Sequence, residues 1–127
     1  MSHLSHPLAR ARGHGSAKSG VHHWVAQRIS AILLLLLLPW LTYGLIILAG
    51  AGHAEAEAFV ARPFNGALLL LSLMTLLYHG MLGLQVVIED YVHQRGLELI
   101  LHFAVRAASL FAAVMGAVCI LRLVLGA

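Results

Sequence analysis

The chain is short of cysteine, of acid and of charge altogether. Its single cysteine, Cys119, excludes an internal disulfide and any cysteine-based metal cluster. The apolar run around Cys119 makes it a packed small hydrophobe rather than a reactive thiol. Only 5 residues are acidic and 10% are charged, against about 25% in soluble domains. With 61% hydrophobic residues and a mean hydropathy of +0.89, 127 residues hold more apolar surface than a water-soluble core can use. The surplus must face lipid or partner subunits. No catalytic triad, metal cage or phosphate-binding loop is present. The net charge of +3 comes from basic residues gathered ahead of Ile29, a pattern that suits a membrane surface and offers no groove for nucleic acid.

What is abundant is long apolar sequence, and it falls into three stretches. Residues 1–19 are a polar tail of Ser, Gly, Pro and His with Arg10, Arg12 and Lys18; its His3, His6 and His14 read as solvated and without function. Residues 20–127 then hold three spans, at about 24–48, 64–89 and 97–125, each long enough for the roughly 20 apolar residues that cross a bilayer. The first carries a leucine block, Leu33 to Leu38, followed by Pro39 and Trp40. Its apolar run exceeds the roughly 7–15 residues of a signal peptide, so it is expected to stay in the mature protein. Gly50 to Pro63 reads as a loop, and Asp90 to Gly96 as a short polar turn. Arg10, Arg12, Lys18, Arg28 and Arg95 share one side of the membrane and Arg62 and Arg122 the other. Basic segments stay in the cytoplasm, which puts the N-terminus and the Asp90 turn there. The expected fold class is an all-α membrane protein with three transmembrane helices and a cytoplasmic N-terminus.

The chemistry gathers in the second span, in Tyr78-His79-Gly80-Met81-Leu82-Gly83-Leu84-Gln85-Val86-Val87-Ile88-Glu89-Asp90-Tyr91. An ionisable side chain at bilayer depth is costly and marks a functional site by default. At about 100° per residue, Asp90 lies roughly 20° round the helix from His79, and Ser72, Thr75 and Gly83 fall within about 40° of the same line. The 1.5 Å rise puts His79 about 16 Å deeper than Asp90. Neutral imidazole is a good axial ligand for haem iron, and Gly80 and Gly83 leave room for a flat macrocycle. Haem propionates would favour Arg28 or a nearby histidine. A phenol such as Tyr91 can donate a hydrogen bond to a carbonyl oxygen. The plain alternatives are an imidazole bonded across a helix interface, an interfacial tyrosine, and an arginine that only anchors the span. On the third span His102, Arg106, Ser109 and Gly116 follow one side. His102 and Arg106 read as snorkelling or bonded to neighbours, and the many alanines allow close helix packing.

These residues resemble the small hydrophobic anchor subunit of succinate dehydrogenase, the succinate:ubiquinone oxidoreductase or complex II. The resemblance rests on His79, Gly83, Gln85 and Asp90-Tyr91-Val92 at the family's spacing, with Gly20-Val21-His22 and Arg28 ahead of the first span, and covers nearly everything from Gly20 onward. It implies that His79 is one axial ligand of a b-type haem, the other coming from a second hydrophobic anchor subunit. It implies that Tyr91 hydrogen-bonds a ubiquinone carbonyl, that Asp90 organises that site, and that Arg28 and His22 lie near the haem propionates. Partners would be the second anchor, an iron–sulfur subunit, a flavoprotein subunit and the bilayer, in a bacterial inner membrane rather than a mitochondrial one. None of the succinate chemistry would be in this chain. The histidine ahead of the first span is doubled, so His23 competes with His22, and His102 and Arg106 lie outside the signature. Two other readings stand beside this one: a non-redox structural subunit of a larger membrane complex, and a proton or ion path through His79, Asp90, His102 and Arg106.

Overall fold

Among the described residues three helices exceed 28 residues and are long and apolar enough to cross a bilayer. The computed structural model describes residues 18–126, so the expected tail, with His3, His6 and His14, lies outside the described residues apart from its last two positions. Among the described residues there are four helices and no strand: α1 (Lys18–Leu48), α2 (His53–Ala61), α3 (Pro63–Tyr91) and α4 (Arg95–Leu125). The all-α, three-span architecture is the one the hydropathy demanded.

Two connections differ from expectation. Residues 50–63, read as a loop, contain α2. Its sequence, His-Ala-Glu-Ala-Glu-Ala-Phe-Val-Ala, is rich in strong helix formers. Its first turn closes when the Gly52 N–H donates to the Glu55 carboxylate at 3.2 Å. Phe59 then stacks on Trp40 of α1, ring centroids 6.4 Å apart, and the Asn65 amide donates to the Phe59 carbonyl at 2.9 Å. The short helix is therefore tied to α1 behind it and α3 ahead of it. The second difference is the polar turn, which is only three residues long. Asp90 and Tyr91 still belong to α3, and the Val92 N–H donates to the Ile88 carbonyl at 2.9 Å. So short a connection makes α3 and α4 antiparallel neighbours.

Helix α3 is the central element, packing against each of the other three. Its seam with α4 is close because glycines let it be. A Cβ at Gly66 would overlap the Val124 side chain and come within 3.1 Å of the Val60 carbonyl, and one at Gly116 would overlap Leu73. Lipid is as apolar as leucine, so no hydrophobic force drives helices together in a bilayer; contact of this kind, with hydrogen bonds, does.

The interior is small and the exterior is apolar. Four apolar side chains are buried, Leu34, Leu37, Leu82 and Ile88, and so are four polar ones, Ser30, Ser72, Thr75 and Gln85; most other long apolar side chains point outward. Cys119 is among the outward-facing residues of α4 and not packed inside the bundle as expected. A helix that is hydrophobic all round gives a cysteine no preferred face. Helix α1 runs unbroken through Pro39.

The glycine seam is open to test. Gly66→Val should cost roughly 1–3 kcal/mol through overpacking, read as a lower thermal midpoint of the detergent-solubilised protein. Gly96→Ala, where a Cβ meets nothing within 4 Å, should leave that midpoint in place.

Candidate functional site

His79 sits beyond the middle of α3 and turns toward α1 rather than toward lipid. Its Nδ1 lies 2.9 Å from the Ser30 hydroxyl oxygen, and its Nε2 lies 3.4 Å from the Gln27 side-chain nitrogen. The proton positions follow from the donors. With the Gln27 amide in this orientation its nitrogen donates, so Nε2 is assigned as the acceptor and the ring hydrogen to Nδ1. Ser30 Oγ accepts that Nδ1–H and passes its own hydrogen to the Gln27 carbonyl at 3.0 Å. The Nδ1 contact is of ordinary strength, while the Nε2 contact is at the long limit.

Gln27 is itself poorly served, because its side-chain oxygen is buried without a hydrogen-bond partner. On the C-terminal side of His79, Gly80 leaves open space: a Cβ there would meet nothing within 4 Å. A nitrogen lone pair met only by a half-satisfied amide suits a ligand of haem iron. Among the described residues no three His, Cys, Asp or Glu side chains converge on one point. The donor chemistry is therefore that of a lone imidazole and not of a cage.

Below His79, toward the end of the bundle that carries the start of α1, polar side chains from three helices share a cleft of about 370 Å³. His23 and Gln27 line it from α1, Gln85 and Glu89 from α3, and Arg106 from α4. His102 approaches Glu89 at 3.8 Å across the α3–α4 seam, with 16% of the histidine side chain exposed. His23 Nε2 and His102 Nδ1 are buried without a protein partner, as polar atoms are where water or ligand completes a site.

The other expected residues are spread along that same end. Asp90 is exposed and Tyr91 is 78% exposed, as the last two residues of α3. Arg28 is exposed and stands over the Trp24 ring, 5.3 Å from its centroid, and is not brought to His79. Of the doubled histidine, His22 is on the exposed side of α1, and His23 is half-buried in the cleft. Of the line drawn through His79, Ser72 and Thr75 are buried and His79 half-buried, but its continuation through Gly83 to Asp90 is not the buried one. Burial follows Ser72, Thr75, Leu82, Gln85 and Ile88, with Gly83 half-buried and Asp90 exposed. Packing against a neighbour repeats about every seven residues, as Thr75 to Leu82 does, whereas the step from His79 to Asp90 is a face of an isolated helix. Gln27, Ser30 and Gln85 are not among the expected site residues. The signal that marks two of them is His23, Gln27 and Ser30 at i, i+4 and i+7, one polar line entering an apolar span.

Fold and seam together define a polytopic membrane protein that keeps its polar side chains between helices and its apolar ones outward. More particularly, the chain belongs to the succinate dehydrogenase/fumarate reductase transmembrane subunit family, whose model matches residues 2–121. It is 43% identical over 103 residues to the succinate dehydrogenase hydrophobic membrane anchor subunit of Rickettsia bellii, covering 81% of this chain and 82% of that one. It is 31% identical over 96 residues to the succinate dehydrogenase membrane anchor subunit of Reclinomonas americana, covering 73% and 80%. The hydrophobic membrane anchor subunit of Paracoccus denitrificans is 31% identical over 86 residues, 67% of this chain and 66% of its own length.

The Glu89–His102 contact is long and its carboxylate is more than half exposed. Glu89→Gln should therefore change the unfolding free energy by less than about 1 kcal/mol, read by thermal or denaturant unfolding in detergent.

Proposed function

We propose that this chain is the small membrane-anchor subunit of a succinate:ubiquinone oxidoreductase. It docks the flavoprotein and iron–sulfur subunits to the bilayer, supplies one axial histidine to a b-type haem, and forms part of the ubiquinone-reduction site. The observation that carries the reading is the seat of His79. The imidazole is held within a span by Ser30 at Nδ1, and Nε2 has only a long contact with the Gln27 amide. Membership of the family and the names of the relatives support the enzyme class.

In this reading His79 Nε2 would hold the haem iron, and the second hydrophobic subunit, packed on the outward apolar faces, would supply its other ligand. The bound haem supplies a one-electron redox centre within the membrane. Arg28, freed from Trp24, and His22 offer positive charge and donors to the propionates at the start of α1. Residues 20–127 are the anchor proper, behind a polar tail, and the N-terminus faces the cytoplasm of a bacterium. Tyr91 and Asp90 then lie at the cytoplasmic membrane surface. The Tyr91 hydroxyl donates to a quinone carbonyl, orienting the ring and favouring charge on its oxygen. The Asp90 carboxylate, one residue away and open to water, organises the site and passes protons from water toward a reduced quinone. Succinate itself is oxidised in the soluble subunits.

Two substitutions test this in the purified complex. His79→Ala should abolish the b-type haem absorbance, and an unchanged reduced-minus-oxidised spectrum would show that the ligand lies elsewhere. Tyr91→Phe should lower quinone reductase turnover about three- to tenfold, the worth of one hydrogen bond, while succinate oxidation with an artificial acceptor continues. Equal loss of both activities would indicate failed assembly instead of a quinone contact.

A further inference from the structure

Two residues of α1, Gln27 and Ser30, form a relay onto the imidazole of His79. We infer that Ser30 is the positioning residue for the haem-ligating histidine: its hydroxyl oxygen takes the Nδ1 hydrogen, fixes the ring plane and strengthens Nε2 as a donor to iron. This rests on the reading of His79 given above.

Once iron takes Nε2, the neutral ring carries its single hydrogen on Nδ1, and that hydrogen needs an acceptor in a medium without water. Ser30 Oγ stands 2.9 Å from Nδ1, and Ser30 is 5% exposed. Serine can both donate and accept, so the direction must be fixed. The Gln27 carbonyl, 3.0 Å from the same oxygen, takes the serine hydrogen and leaves the lone pairs for the imidazole. The relay therefore runs one way, from Nδ1–H to Ser30 to a main-chain carbonyl, and its anchor is backbone that no side-chain substitution removes. Ligating histidines commonly give their second N–H to such an acceptor, which fixes ring orientation and raises ligand basicity. A more basic imidazole favours ferric iron, so the relay holds the potential of the haem down. Gln27 has the opposite part to play. Its amide occupies Nε2 only at 3.4 Å and its side-chain oxygen has no partner, so its departure on haem binding gives up little.

The test is a redox titration of the haem in the assembled complex, with His79→Ala as the control for the ligand itself. Ser30→Ala should keep the haem and shift its reduction equilibrium toward the reduced form by up to tenfold, about 59 mV for a one-electron couple. Ser30→Thr, which keeps the hydroxyl, should restore the wild-type potential. If Ser30→Ala fails to assemble or loses haem, the potential is read in Ser30→Cys, whose weaker sulfur acceptor should raise it in the same direction. A wild-type potential in Ser30→Ala, or in Ser30→Cys where that variant replaces it, overturns the inference while His79→Ala still lacks haem. Retention of haem in His79→Ala overturns the ligand assignment beneath it.

Discussion

Everything in this structure follows from the scarcity of hydrogen-bond partners inside a bilayer. A polar side chain placed at depth cannot turn to solvent, so it turns to protein. The imidazole of His79 finds the Ser30 hydroxyl on α1, Ser30 finds the Gln27 carbonyl, and Thr75 bonds back to the Leu71 carbonyl of its own helix. The result is an interior in which buried polar side chains are as many as buried apolar ones. In a soluble bundle such a core would be weak. In lipid it is what distinguishes the inside of the protein from its surroundings.

The same constraint explains why α3 is central. It carries the polar side chains that need neighbours on two sides: His79 and Thr75 toward α1, Glu89 toward His102 of α4. The three-residue turn after Tyr91 and the glycines at 66 and 116 bring α4 against it, and the capped helix α2 ties its other end to α1. With the polar groups turned inward, the outward faces are almost wholly apolar and suit lipid and a second hydrophobic subunit alike. Asp90 and Tyr91, the last residues of α3, are exposed at the end of that span.

The three spans were legible because crossing a bilayer demands one plain property, about 20 apolar residues in a row, and each helix shows it. His79 was legible as a candidate for the same reason: a histidine stands out in such a run. Helix α2 was not, because nine residues, six of them alanine or glutamate, between glycine and proline carry no apolar stripe, and their helicity is secured by Glu55 and by Phe59 against Trp40. The family signature carried Asp90 and Tyr91 as a site, yet only the coordinates make them helical. The buried line on α3 was misread through Gly83 and Asp90, since an isolated helix and a packed one repeat their faces at different intervals.

The sequence by itself determined that the chain holds three spans able to cross a membrane, that His79 falls inside one of them, and that the chain belongs among succinate dehydrogenase anchors. These are properties of single segments and of residue spacing along one helix. The tertiary structure decided what His79 touches, which nitrogen is engaged, and that Ser30 and Gln27 matter at all. Those depend on the rotation and register of α1 against α3, and two residues 49 positions apart in sequence meet only when two helices have chosen their mutual setting.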